Sequence, residues 1–429
     1  MTNEQVTKRH PWAWVPTLYF AQGVPYVVVM TVSVIMYKRM GISNTDIALY
    51  TSWLYLPWVI KPLWSPLVDM FRTKRLWIVV TQFIVGAALA MVALTIPMPA
   101  FFQYTLAVFW LMAFSSATHD IAADGFYMLA LEQHQQAAFV GVRSMFYRIA
   151  MITGQGLLVV VAGQIETNSG GNIAFAWSVT FGILSALFML FFVYHKFMLP
   201  HPVVDKPTIQ SQSTSPVAEF FKVFLLFFKK KNIIVTLLFL LFYRFAEAQL
   251  VKLVSPFLLD ARDKGGLGLT TSEVGIVYGT VGIIALTLGG LLGGFLASRN
   301  GLKSWLWPMV FIIHLPDLAF VYLSQVQPEN FVLINIAVAL EQFGYGFGFT
   351  AYMLFMIMVS EGEHKTAHYA ICTGFMALGM MIPGMFSGAL QEAIGYQSFF
   401  LWIIASTIPG FVVAALVKVD PEFGKKRTA

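Results

Sequence analysis

The chain has 429 residues, of which 58% are hydrophobic and only 11% charged, where soluble proteins run near ~25% charged. That excludes a soluble enzyme and leaves no room for a sizeable soluble domain, because the apolar residues supply about a dozen bilayer spans of roughly 20 residues each. The net charge of +6 is therefore read as a guide to membrane orientation rather than to nucleic-acid binding.

Apolar windows predict helices at 12–38, 45–69, 75–96, 101–131, 137–163, 173–198, 232–260, 271–298, 303–324, 330–360, 365–393 and 396–418. The first follows Lys8 and Arg9, but it is too long for a signal peptide and lacks a small-residue cleavage pattern, so it is expected to stay as an anchor. In span two, Pro57, Pro62 and Pro66 surround Lys61. Proline removes a backbone donor, and freed carbonyls beside a lysine are tolerable only against protein or water, which predicts a cavity wall. Trp53, Tyr55, Trp58 and Trp64 on this span are read as interface anchors, with stacking on a sugar face as the alternative.

Span four carries Ser115–Asp124, with Asp120 and Asp124 at i and i+4 on one helix face. Two carboxylates that close repel, so in a low-dielectric cavity one is expected to hold a proton, as a proton-coupled step requires. The alternative is neutralisation by bases, with Lys61 and Arg148 as the candidates. His119 and Asp120 point about 100° apart, and with no nucleophile or metal ligands beside them they do not make a catalytic pair. Span seven holds Arg244, Glu247 and Lys252, the first two spaced to pair locally. The glycines of span eight (Gly275, Gly279, Gly282, Gly289, Gly290, Gly293 and Gly294) are read as helix packing, since no strand precedes them as a phosphate loop would need. In span ten, Glu341 opens a stretch containing Gly344, Gly346 and Gly348, which permit bending or close helix approach. The single cysteine, Cys372, has no partner for an internal disulfide and is read as a packing residue.

Basic residues alternate between the connections. One side collects 18, including Arg72, Lys74, Arg75, Lys229–Lys231 and Arg299, whereas the other has only Lys38, Arg39, Arg262 and Lys264. The positive-inside rule then puts both termini in the cytoplasm. The longest connection, 199–231, is rich in proline and polar residues and reads as a linker dividing an N-terminal bundle, 1–198, from a C-terminal bundle, 232–429. Val217–Phe228 is either a short amphipathic helix on the inner surface or a plain polybasic tether.

Two internal echoes lie at nearly the same offset, 229 and 230 residues. Ser65–Lys74 matches Gly294–Lys303 with Asp69 opposite Ser298, and Met151–Gly154 matches Met381–Gly384. Two matches in equivalent spans imply duplicated six-helix halves in parallel orientation. The first segment resembles the loop between spans two and three of the major facilitator superfamily, and an aspartate at such a helix end can latch one conformation against a basic residue. Asp69, Arg72 and Arg299 are therefore the candidate gating residues.

Within the spans lie five bases (Lys61, Arg143, Arg148, Arg244, Lys252) and five acids (Asp120, Asp124, Glu247, Asp317, Glu341). Charges at mid-helix are costly and should face the bundle interior, where many of these are expected simply to pair.

The strings Tyr19–Pro25, Lys61–Asp69 and Ser116–Asp124, followed by Tyr147-Arg148, Tyr243–Glu247, Ser272–Gly275, Glu341 and Thr366–Ala370, resemble the AmpG muropeptide permeases of the major facilitator superfamily. That family is related to the eukaryotic acetyl-coenzyme A transporter. The resemblance runs from span one to span eleven and implies import of N-acetylglucosaminyl-anhydromuramyl peptides from periplasm to cytoplasm, driven by protons, across a bacterial inner membrane. There are departures: Tyr278-Gly279 and Met380-Met381 stand where the family pattern has a lysine and an arginine, and Arg244 and Glu247 where it has lysine and aspartate.

The expectation is thus an all-α membrane protein of the major facilitator superfamily fold, with twelve transmembrane helices in two six-helix bundles working by alternating access. Asp120, Asp124, Glu247 and Glu341 are expected to couple protons, and Lys61, Arg148, Arg244, Tyr147 and Gln22 to bind substrate. Arg148 is the expected main anchor for a substrate carboxylate; the alternative pairs Arg148 with Asp120 and Arg244 with Glu247 internally. The expected partners are a small glycopeptide and the lipid bilayer, for a monomer that needs no nucleic acid and no cofactor beyond the proton gradient. Another anionic solute, such as an acyl-coenzyme A or an iron chelate, is the alternative cargo. An integral-membrane transferase would need a nucleophile or metal constellation that the sequence does not offer.

Overall fold

The computed structural model describes residues 9–206, 216–362 and 364–424, and no strand occurs among them. Inside a bilayer every backbone N–H and C=O must be satisfied within its own segment, so long apolar runs fold as helices. The helices are α1 (Pro11–Arg39), α2 (Asn44–Trp53), α3 (Leu56–Phe71), α4 (Lys74–Thr95), α5 (Phe101–Ala130), α6 (133–168), α7 (Ile173–Met198), α8 (Pro216–Phe228), α9 (Ile233–Leu259), α10 (Thr271–Asn300), α11 (Leu302–Val326), α12 (Phe331–Ser360), α13 (365–394) and α14 (396–416).

Ten runs among the described residues are long and apolar enough to cross a membrane. The difference from twelve has two local causes. The second passage is broken at Leu54 and Tyr55 into α2 and α3, because Pro57 has no N–H to offer the carbonyl of Trp53 and its ring crowds that turn. Pro62 and Pro66, by contrast, are carried inside α3 without ending it. The last run, Ala367–Leu416, contains Gly395 at φ 75° and ψ 165°, a conformation open to glycine, and so comprises two helices. With α2 and α3 as one passage and α13 and α14 as two, the described residues make twelve passages.

The chain forms two compact units, Met1–Val32 with Ile60–Ala218 and Ser33–Val59 with Glu219–Ala429. Residues 33–59 thus group with the second unit, whereas the linker-based division assigns them to the first half. Within the second unit they are held by polar contacts. Lys38 pairs with Asp260 at 2.7 Å, Asn44 Nδ2 donates to Gln391 at 2.6 Å and to the Tyr396 hydroxyl at 2.9 Å, and Tyr396 donates to Asp260 at 2.6 Å. Sequence patterning shows Lys38 only as a loop charge, since nothing local marks its distant partner.

In the first unit α4 packs on α5 and α7, and α1 on α6, around a core that includes Trp14, Leu18, Tyr19, Ile78 and Phe126. In the second unit α12 packs on α10 and α11, and α9 on α13, around Phe239, Tyr243, Tyr352 and Phe355. The third passage therefore meets the fourth and the first meets the fifth in one unit, as the ninth meets the tenth and the seventh the eleventh in the other. The echoed glycines sit at corresponding contacts: Gly154 lies against Val27 of α1, and a Cβ on Gly384 would stand 3.3 Å from the Ala248 carbonyl of α9.

Of the two readings of Val217–Phe228, the helix forms. Phe227 is fully buried in the second core, while Phe221, Leu225 and Phe228 stay exposed. Upstream, Asp205 accepts from the backbone N–H groups of Lys74 and Arg75 at 2.8 and 3.0 Å, placing a negative charge at the positive end of α4. Cys372 is buried in the second core, its sulfur 3.8 Å from the Ser360 hydroxyl.

Where α10 meets α12, Gly289 of span eight and Gly346 of span ten act as spacers, since a Cβ on either would run into the other helix's backbone. A Cβ on Gly346 would collide with the Leu286 carbonyl, whereas one on Gly294 would meet nothing within 4 Å. Gly346→Ala is therefore expected to lower the thermal unfolding temperature in detergent, at an overpacking cost of about 1–3 kcal/mol, while Gly294→Ala leaves it unchanged. Equal stability of the two variants would show that α10 and α12 are free to separate.

Candidate functional site

In the first unit, the carboxylates of α5 are held from three other helices. Asp120 accepts hydrogen bonds from Gln22 Nε2 of α1 and from Lys61 Nζ of α3. Asp124, one turn later, accepts from the Tyr19 hydroxyl at 3.1 Å and from the Arg143 guanidinium of α6 at 2.9 Å. Arg143 also lies over the Tyr19 and Tyr127 rings, 4.5 and 5.1 Å from their centroids, a favourable stack. Each of the two acids at this i, i+4 spacing thus has one base of its own. Lys61 is one of the two bases named from the sequence; the other is Arg143 and not Arg148.

Arg148 is half-buried and makes no ion pair or side-chain hydrogen bond among the described residues. The internal pairing of Arg148 with Asp120 is thereby corrected, since Lys61 takes that carboxylate. The neighbouring Tyr147 packs on α1 at Gly23, where an added Cβ would stand 3.3 Å from its ring. His119 turns away from Asp120, as the helical angle requires. It joins a buried chain in which Gln82 bridges His119 at 3.0 Å and His195 at 2.9 Å, and His195 meets Thr17 at 2.9 Å.

In the second unit the arrangement differs. Arg244 sits at a break in α9 with φ −110° and ψ 24°. Its guanidinium donates to the Tyr345 hydroxyl and lies over Tyr345 and Phe349 at 5.0 and 4.7 Å. No Arg244–Glu247 ion pair forms: the break and the aromatic pair of α12 win over the i, i+3 spacing. Lys252 donates to Thr51 at 2.9 Å and lies 5.2 Å from the Tyr55 ring centroid.

The acids gather elsewhere. Glu247 of α9, Asp317 of α11 and Glu341 of α12 are each 1% exposed, and one oxygen from each lies within 4.8 Å of the others. Among the described residues no other three histidine, cysteine or acidic side chains come together in this way. His314 Nδ1 stands 4.0 Å from Asp317, and Gln342 donates to Glu341 at 3.0 Å. Asp317 was visible in the sequence only as one of five membrane acids, and His314 not at all; their i, i+3 spacing around Pro316 is the signal that would have joined them.

Of the candidate gating residues, the Asp69 side chain lies outside the described residues. Arg72 and Arg299 are exposed, the latter stacked on Phe295 at 4.4 Å.

Charged side chains enclosed by long apolar helices, in helix pairs repeated between two units, define a multi-pass membrane transporter rather than an enzyme. The chain belongs to the Major Facilitator Superfamily, which it matches over residues 17–360. Over 412 residues it is 26% identical to the putative transporter AmpG 4 of Rickettsia conorii, covering 92% of this chain and 94% of that protein. It is 24% identical to the anhydromuropeptide permease of Escherichia coli over 417 residues, covering 95% and 79%. Among solved structures, a mutant of the nucleoside transporter NupG superposes with a TM-score of 0.70 at 17% identity, covering 94% of this chain and 99% of that one. A bacterial homologue of the human lysosomal transporter Spinster, inward-facing and unoccupied, gives 0.66 at 15% identity and covers 94% of each chain. These two likenesses concern the fold alone.

Proposed function

We propose that the chain imports anhydromuropeptides across the bacterial inner membrane by proton-coupled alternating access, with both termini in the cytoplasm. The relatives that carry the AmpG and anhydromuropeptide permease names support the cargo class, and the excess of bases on one side supports the orientation. The observation that carries the reading is Arg148. In the first unit Lys61 and Arg143 are each occupied by a carboxylate, whereas Arg148 has no anion among the described residues. Muropeptides bring carboxylates, and a guanidinium offers them a forked pair of donors. Gln22 and Tyr147, on the helix pair that carries Arg148, are the neighbouring candidates for polar and stacking contacts with the glycan.

The test is uptake of labelled anhydromuropeptide into proteoliposomes with and without an inward proton gradient. The expected result is accumulation above the outside concentration only with the gradient, and competition by unlabelled muropeptide but not by an acyl-coenzyme A or an iron chelate. Competition in the opposite order would reassign the cargo.

A further inference from the structure

We propose that the proton is carried in the second unit, on the buried triad Glu247, Asp317 and Glu341, with His314 exchanging it at Asp317. The inference rests on the proton-coupled reading above and assigns that step a place. The three side chains come from α9, α11 and α12, and no basic side chain among the described residues forms an ion pair with them except His314 at 4.0 Å. Among the described residues, both carboxylate oxygens of Glu247 and of Asp317, and one of Glu341, have no hydrogen-bond partner, and neither ring nitrogen of the buried His314 has one.

No strong base pairs with the triad among the described residues, although the Arg244 charge reaches Glu247 through space. From α9, Arg244 is turned to Tyr345 and Phe349 and Lys252 to Thr51. From α12, Gln342 satisfies one oxygen of Glu341. Tyr278 of α10, close to Glu341 and Glu247, adds a hydroxyl and no charge.

Buried carboxylates short of protein donors are costly, and three mutually close like charges repel. A proton removes both penalties, because the carboxylic acid it forms donates its O–H to the next carboxylate. In chemical terms a carboxylate oxygen gains a proton from one side of the membrane and loses it to the other, and no other bond changes. Asp120 and Asp124 differ from the triad in that each already faces a base.

The experiment compares uphill uptake, driven by an inward proton gradient, with counterflow exchange of the same labelled muropeptide, which needs no net proton movement. Asp317→Asn and Glu341→Gln are expected to lose uphill uptake at least about tenfold and to keep exchange within about twofold. Asp317→Glu, which keeps the carboxylate, should recover uphill uptake. A readout that does not depend on variant folding is substrate-induced proton release or uptake by the solubilised wild-type protein, followed with a pH dye in weak buffer; its absence overturns the proposal.

Neutral variants that still concentrate substrate overturn the triad alone and leave proton coupling standing. A wild-type protein indifferent to the proton gradient, or driven by sodium or a divalent cation, overturns the coupled reading itself. Loss of exchange together with uphill uptake in well-folded variants assigns the triad to substrate binding instead.

Discussion

Replacing Arg148 with lysine is expected to raise the half-saturating concentration of anhydromuropeptide by about tenfold, and replacing it with alanine by about a hundredfold, or ~1.4 and ~2.7 kcal/mol. Lysine keeps the charge but loses the planar fork that grips both oxygens of a carboxylate, so the conservative change separates geometry from charge. Because Arg148 holds no partner within the described residues, neither substitution strands a buried acid, and thermal unfolding without substrate should move by only about a degree or two. Equilibrium binding to purified protein, together with unfolding curves, checks both parts. A large loss of stability with unchanged affinity would remove Arg148 from the binding site.

The opposite signature is expected at Lys61. Lys61→Met leaves the Asp120 carboxylate with only Gln22 as a donor among the described residues. Breaking a fully buried pair costs about 3–5 kcal/mol, but the two side chains here are 25% and 22% exposed, so a loss of about 2 kcal/mol is the better expectation. Asp120→Asn alone should cost a comparable amount by stranding the lysine. The double variant Lys61→Met with Asp120→Asn should recover most of the stability, because it removes both charges together. If the double variant is as unstable as the sum of the single ones, the contact does not pair the two residues energetically. Transport by the recovered double variant is a separate question: restored stability without uptake would place the pair in the translocation path.

Much of the architecture was legible in the chain because it is written locally. Membrane passages follow from runs of apolar residues, since each stretch of backbone must satisfy itself in lipid. The echoes at Gly154 and Gly384 revealed a duplication that the equivalent helix pairs then display. The carboxylates of α5 and Lys61 were identified from composition within spans, as were the other membrane charges. The break at Gly395 falls where the apolar windows already separated 365–393 from 396–418; what local patterning misjudged was the passage 45–69, which Pro57 divides although its hydropathy is continuous.

Partnership, by contrast, emerges from the packed molecule. Arg143 and Arg148 stand on the same helix, and hydropathy treats them alike; the rotation of α6 gives Asp124 to one and leaves the other without an anion. Arg244 and Glu247 satisfy a local spacing rule, yet the break at Arg244 and the rings of Tyr345 and Phe349 overrule it. Glu247, Asp317 and Glu341 become one site only when α9, α11 and α12 pack together. That these charges lie in the membrane follows from the chain alone, because burial in lipid depends on the residues immediately around each one. Which charges meet depends on helix rotation and packing between segments far apart in the chain, and no local pattern records that.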